Sequence, residues 1–180
     1  MHDITCELAK LHYLTGAEFV RQLKLIVNFG EFHPIEGEMG VYTVGGERGE
    51  DYENLINAAR KAASHGFQVY ILPNPKGLRT ADFIFVQKGI YKLYDLKTIQ
   101  GKSSAINRLM ESIGQTNHVL LNIATDYNPL ALARCIKKFF EMNPNAVEVL
   151  VFKGNKSILL KRSSTQSKSF FKIFIKKYQQ

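Results

Sequence analysis

Within residues 80–98, TADFIFVQKGIYKLYDLKT, the charged side chains Asp82, Asp95 and Lys97 are set among Phe, Ile, Leu, Val and Tyr. Two carboxylates and an ammonium brought together suit hydrolysis of a phosphodiester. The carboxylates Asp82 and Asp95 are hard oxygen ligands for a divalent cation. Such a cation polarises a phosphate and lowers the pKa of bound water. Lys97 would position or deprotonate that water, or stabilise the charge that builds on phosphorus. Asp95 and Lys97 lie two residues apart, so on a strand they point the same way. The competing reading is a solvent-facing ion pair, worth about 0–1 kcal/mol.

The surrounding pattern predicts the elements that must hold these residues. ADFIFVQ and IYKLYDLKT read as two strands joined tightly at Lys88-Gly89. FQVYILP is a strand closed by Pro73. Before it, DYENLINAARKAASHG reads as a helix with Asp51 near its cap, Leu55, Ala58, Ala59 and Ala62 inward, and Gly66 as its stop. SSAINRLMESIGQ follows as a helix capped by its first serines, with an apolar stripe of Ile106, Leu109, Met110 and Ile113. HVLLNI has the character of a buried strand. Asp126 would cap a helix through NPLALARCIKKFFEM, and VEVLVFK and SILLKR would pair across Gly154-Asn155. The order from residue 50 is helix, three strands, helix, strand, then a further helix and hairpin. That is a mixed α/β domain with a central sheet. Ahead of it, LTGAEFVRQLKLIV predicts a helix starting near Thr15 or Gly16, and the Gly- and Glu-rich stretch after it predicts loops and short strands.

At 180 residues and 45% hydrophobic, the chain can bury a real core. It has no apolar run near 18 residues and no signal-peptide pattern at its start, so the expected site of action is cytoplasmic. Cys6 and Cys135 lack metal-type spacing and read as thiols in a reducing compartment. The five histidines show no HExxH-like spacing, and no GxSxG or RNA-binding-sheet pattern is present. From Lys153 onward there are eight Lys or Arg and no acid, whereas residues 1–152 hold sixteen of each sign. That end favours a polyanion, nucleic acid or an acidic membrane. FFKIFIKK has the spacing of a basic amphipathic helix, so residues 163–180 read as a final helix or a loosely held basic tail.

The stretches ENLINAARKAASHGFQVYILP, TADFIF, YDLKT, SSAINR and GQTNHVLLNI together resemble the PD-(D/E)XK nuclease superfamily, with its αβββαβ core. They are closest to the C-terminal nuclease domains of CdiA-type contact-dependent inhibition toxins. The resemblance implies a restriction-endonuclease-like domain over residues 50–162, between an extension of residues 1–49 and the basic tail. It implies a metal-dependent endonuclease acting on tRNA or other RNA first and DNA second, with a cognate immunity protein as partner; the alternative is a DNase of the same fold. Mg²⁺ is the implied metal, with Mn²⁺ or Zn²⁺ as alternatives. In this reading Asp82 and Asp95 hold the metal, Lys97 is the catalytic lysine, and Glu50 or Glu53 adds an acid from the first helix. Thr98, Ser104, Asn107, Arg108 and Gln115 would face substrate. The first motif has Ala81 before Asp82, and the second uses Asp95 where Glu is commoner. The rival class is a non-catalytic nucleic-acid-binding or mobile-element protein of the same fold; a second rival is a membrane-surface protein anchored by FFKIFIKK.

Overall fold

The structure, a computed structural model, describes residues 3–45, 49, 51–101 and 104–180. Among them are seven helices and eight strands, and each strand hydrogen-bonds to the next in chain order. The class is mixed α and β, with both parallel and antiparallel pairs. The chain divides into two compact units, 1–94 and 95–180. The expected core of residues 50–162 draws its elements from both.

The first unit begins with helices α1 (Thr5–Lys10) and α2 (Gly16–Phe29) and the short strands β1 (His33–Pro34) and β2 (Val41–Thr43). Helix α3 (Tyr52–Ser64) then crosses to β3 (Gln68–Ile71), which pairs parallel to β2. A parallel pair needs such a crossover, because a tight turn reverses direction. Strand β4 (Phe83–Gln87) and the first half of β5 (Ile90–Ile99) continue antiparallel. Leu8, Leu23 and Ile26 pack with Ile84 and Leu93 in one buried cluster, so residues 1–49 supply part of this core. Phe83, Phe85 and Tyr94 form a chain of rings 4.9–5.4 Å apart.

Helix α3 turns a slightly different face inward than expected: Ile56 is buried with Ala58, Ala59 and Ala62, and Leu55 is only partly covered. Its stop is as read. Gly66 has φ +88°, its amide donates to Ala63 O (3.0 Å), and that of Phe67 donates to Ala62 O (3.2 Å). These two bonds satisfy carbonyls that the helix end leaves open. Lys88 (φ +51°) and Gly89 (φ +74°) make the two-residue turn that fixes the β4–β5 register.

The second unit takes the other half of β5, then α4 (Ala105–Glu111), β6 (His118–Ile123), α5 (Pro129–Met142), β7 (Glu148–Lys153), β8 (Lys156–Lys161), α6 (Arg162–Gln166) and α7 (Phe170–Gln179). Strands β5, β6 and β7 are parallel, with α4 and α5 as crossovers, and β7–β8 is the expected hairpin. Val119, Leu121, Val149 and Val151 from the sheet meet Leu109, Leu132, Ile136 and Phe140 from the helices. Ile113, placed in the α4 stripe by spacing, lies beyond the helix end and is exposed.

One expectation is corrected here and one alternative is decided. The cap of α5 is Asn128, whose Oδ1 accepts from the Ala131 amide at 2.9 Å; Asp126 instead faces Lys153 Nζ at 3.4 Å. Pro129 explains the shift: its fixed φ and missing donor suit the first helical position, which makes the residue before it the cap. Of the two readings of the basic end, the structure shows the final helix. Helix α7 buries Phe170, Phe174 and Tyr178 in the unit's core, and burial raises the Tyr178 hydroxyl above the usual tyrosine range. Arg162 locks the junction by donating to the carbonyls of Phe140, Asn143 (2.7 Å) and Ala146 (3.1 Å).

Candidate active site

Strand alternation decides where the charges go. Asp95, Lys97 and Ile99 pair in register with Val119, Leu121 and Ile123 of β6. Residues opposed in a parallel ladder share a face. Asp95 and Lys97 therefore sit on the face that carries the apolar core under α4 and α5. Asp95 is 1% exposed and Lys97 9%. Lys97 Nζ lies 3.1 Å from Asp95 Oδ2 and donates to Gln115 Oε1 at 3.3 Å. The solvent-facing alternative is thereby excluded.

Burial changes what the pair means. An exposed pair forms at little cost or gain. Taking two ions out of water costs several kcal/mol each, and well-packed apolar residues would be as stable or more so. Stability alone thus gives no reason for charges at these two positions. Chemistry gives one: an ammonium held beside a carboxylate in a poorly solvated setting interacts strongly with any anion that reaches it.

The remaining sequence-derived residues divide clearly. Gln115 joins the pair from the loop after α4, where Gly114 (φ +88°) makes the turn. Thr98 is buried, but alternation sends it to the opposite sheet face, in register with Asn122. Ser104 occupies the cap position of α4 without a side-chain cap bond, and Asn107 is exposed. Arg108 is engaged by Glu111 at 2.8 Å. Asp82 belongs to the first unit: its amide donates to the carbonyl of Tyr94, the residue before Asp95, at 3.1 Å, and its own carbonyl accepts from Leu72. Glu53 is exposed in the first turn of α3, where the helix dipole favours an acid. Glu50 lies outside the described residues.

Among the described residues no group of three or more His, Cys, Asp or Glu converges as a ready metal cage. A structural zinc site needs such a cage. Mg²⁺ does not: it keeps several waters and takes one or two carboxylates plus substrate phosphates. The donor chemistry of Asp95, a buried carboxylate, fits that hard cation.

One polar pair has no signal in the sequence. His118 Nε2 lies 3.4 Å from Glu148 Oε1, and the Glu148 side chain is buried. The two are register partners on β6 and β7. Thirty residues separate them in the chain, so only strand pairing brings them together.

No protein-family model and no curated protein sequence matches the chain. Among solved structures, a chain of the CdiA-CT/CdiI toxin and immunity complex from Burkholderia pseudomallei is similar, with a TM-score of 0.44 and 16% identity over 65% of this chain and 92% of that one. At that identity and TM-score the likeness assigns neither a family nor an activity.

Proposed function

We propose that this protein is a metal-dependent endonuclease of the PD-(D/E)XK type, a toxin-type RNase acting on tRNA. The observation that carries the reading is the buried Asp95–Lys97 pair with Gln115 on the lysine. It is supported by the motif resemblance around YDLKT. Asp95 is a carboxylate that would hold Mg²⁺ or Mn²⁺, and the motif resemblance adds Asp82 as the second. When bound, the metal supplies Lewis-acid polarisation of the phosphate and a more acidic water. Lys97 has three N–H donors. One goes to Gln115 and the charge lies against Asp95, which leaves donors for a phosphate oxygen. Lys97 stabilises the extra negative charge that develops on the phosphoryl oxygens, and Gln115 fixes its rotamer. In this reading the site of action is the cytoplasm, and a cognate immunity protein covers the site in the producing cell.

The test is a cleavage assay on total tRNA, single-stranded RNA and duplex DNA with Mg²⁺, Mn²⁺, Zn²⁺ or EDTA. It compares wild type with Asp95→Asn and Asp82→Asn. EDTA-sensitive cutting of tRNA that both substitutions abolish is the expected result. Cutting of duplex DNA alone would make it a DNase of the same chemistry. Binding without cutting of any substrate would overturn the enzyme and leave a nucleic-acid-binding module.

A further inference from the structure

Seven of the fourteen Lys and Arg of the second unit fall into two contrasting sets. Lys153 donates to Thr125 O at 2.7 Å, Lys156 to Tyr178 O at 2.7 Å, and Arg162 holds the end of α5. These three are spent on the fold. A second set is exposed and has no carboxylate partner among the described residues: Arg134 and Lys138 on α5, and Lys172 and Lys176 on α7. Each couple is spaced i, i+4, so each forms one outward row on its helix. The two helices pack on each other, and Lys137 Nζ lies 5.5 Å from the centre of the Phe171 ring, across their junction. Like charges at i, i+4 destabilise a helix. Lys176 lies in the last turn of α7, where the helix dipole favours a cation, but that does not account for Lys172, Arg134 or Lys138.

We infer that the outer surface of α5 and α7 is a phosphate-backbone platform for nucleic acid. Lysine binds phosphate as a point charge and reads no base, so the platform holds a polymer without choosing its sequence. A bilayer is the poorer match. A membrane-surface helix needs its apolar face for the lipid, and α7 has committed Phe170, Phe174 and Tyr178 to the core. The inference deepens the reading above by locating where the polymer is held, and it is tested by binding rather than cutting.

The experiment measures the affinity of labelled tRNA, and of a labelled 20-nucleotide single-stranded RNA, against salt concentration in EDTA. Variants are Arg134→Ala/Lys138→Ala, Lys172→Ala/Lys176→Ala, the four combined, and Lys76→Ala as an exposed control from the first unit. Alanine keeps helix propensity high, and a thermal melt checks folding. Removing one phosphate-binding cation lowers the slope of log K on log salt by about 0.7–0.9. The expected result is a slope reduced by about 3 in the fourfold variant, about half that in each double variant, equal weakening for both RNAs, and no change for Lys76→Ala. Should the fourfold variant not fold, the two double variants give the same reading. An unchanged slope overturns the platform. So does loss of binding to phosphatidylserine vesicles with RNA binding intact. A wild-type protein that does not cleave, with the slope still falling in the variants, removes only the nuclease reading; an unchanged slope with wild-type cleavage intact removes only the platform.

Discussion

The two units use charge in opposite ways. The first carries ten Lys or Arg and eleven Asp or Glu, and the second fourteen and five. In the first, the ion pairs Lys10–Glu7 and Arg60–Glu38 lie at the surface, and the interior is filled by aromatic rings and aliphatic side chains. In the second, Asp95 and Lys97 are buried together, Glu148 is buried against His118, and the surface carries unmatched cations. Balanced surface charge does little beyond keeping a protein soluble. Buried charge and a surface with an excess of one sign both cost stability, so their concentration in one unit marks where binding and chemistry are to be sought.

The comparison breaks or holds most decisively at Asp95–Lys97. Lys97→Met should lower turnover by about 10²–10⁴-fold, the range for a positioned catalytic group. Asp95→Asn leaves Lys97 as an uncompensated buried cation and should cost about 3–5 kcal/mol of stability. The double variant Asp95→Leu/Lys97→Met should recover most of that stability while remaining inactive, because apolar residues suit a buried site at least as well as an ion pair. Urea melts and cleavage rates on the same samples read both axes. In the first unit, Arg60→Ala should leave both unchanged. If the double variant stays as unstable as the single one, the pair is structural and the two units differ less than they look.

How much of this is legible in the sequence follows from the range of each interaction. The β4–β5 hairpin is readable because Lys88-Gly89 is a local turn signal flanked by alternating residues. Asp95 and Lys97 are readable as a pair because a strand's period of two places them together whatever else the chain does. Their burial is not, since it depends on β5 lying beside β6 with Lys97 opposite Leu121. Gln115 enters only through resemblance, and its bond to Lys97 supplies the reason. Thr98 is adjacent to Lys97 in sequence, yet the same alternation takes it to the other face. His118 and Glu148 leave no trace, because a register between distant strands has no sequence period. On α3 the inward Ala58, Ala59 and Ala62 are legible, and beside that Ala-rich stripe either Leu55 or Ile56 completes the pattern.

The next test concerns the basic end. Spacing alone cannot tell whether an amphipathic helix lies on a membrane or on its own core. Helix α7 chooses the core, with Phe174 1% exposed. Phe174→Ala should therefore cost about 3–5 kcal/mol, as large-to-small changes of buried aromatics do. Leu23→Ala in α2 of the first unit, 0% exposed, should cost about 2–5 kcal/mol. Comparable losses in thermal melts would put α7 on the same footing as the internal helices. A Phe174→Ala protein as stable as wild type would return residues 163–180 to the status of a tail.

The smallest effect compares three helix starts, two in the first unit and one in the second. Helices α2 and α3 of the first unit begin at Thr15 and Asp51, residue types that cap well, yet neither side chain makes the cap bond. In the second unit Asn128 does, with its Oδ1 on the Ala131 amide at 2.9 Å. Asn128→Ala should cost about 1 kcal/mol. Thr15→Ala and Asp51→Ala should cost less, because neither removes a bond to an otherwise open amide. Asp126→Ala should leave stability unchanged, since its carboxylate is fully exposed and only faces Lys153. Three matched urea titrations and the Asp126 control decide it. If Asp126→Ala is the costly one, the helix is capped where the sequence pattern alone would put it, and Pro129 does not set the start of α5.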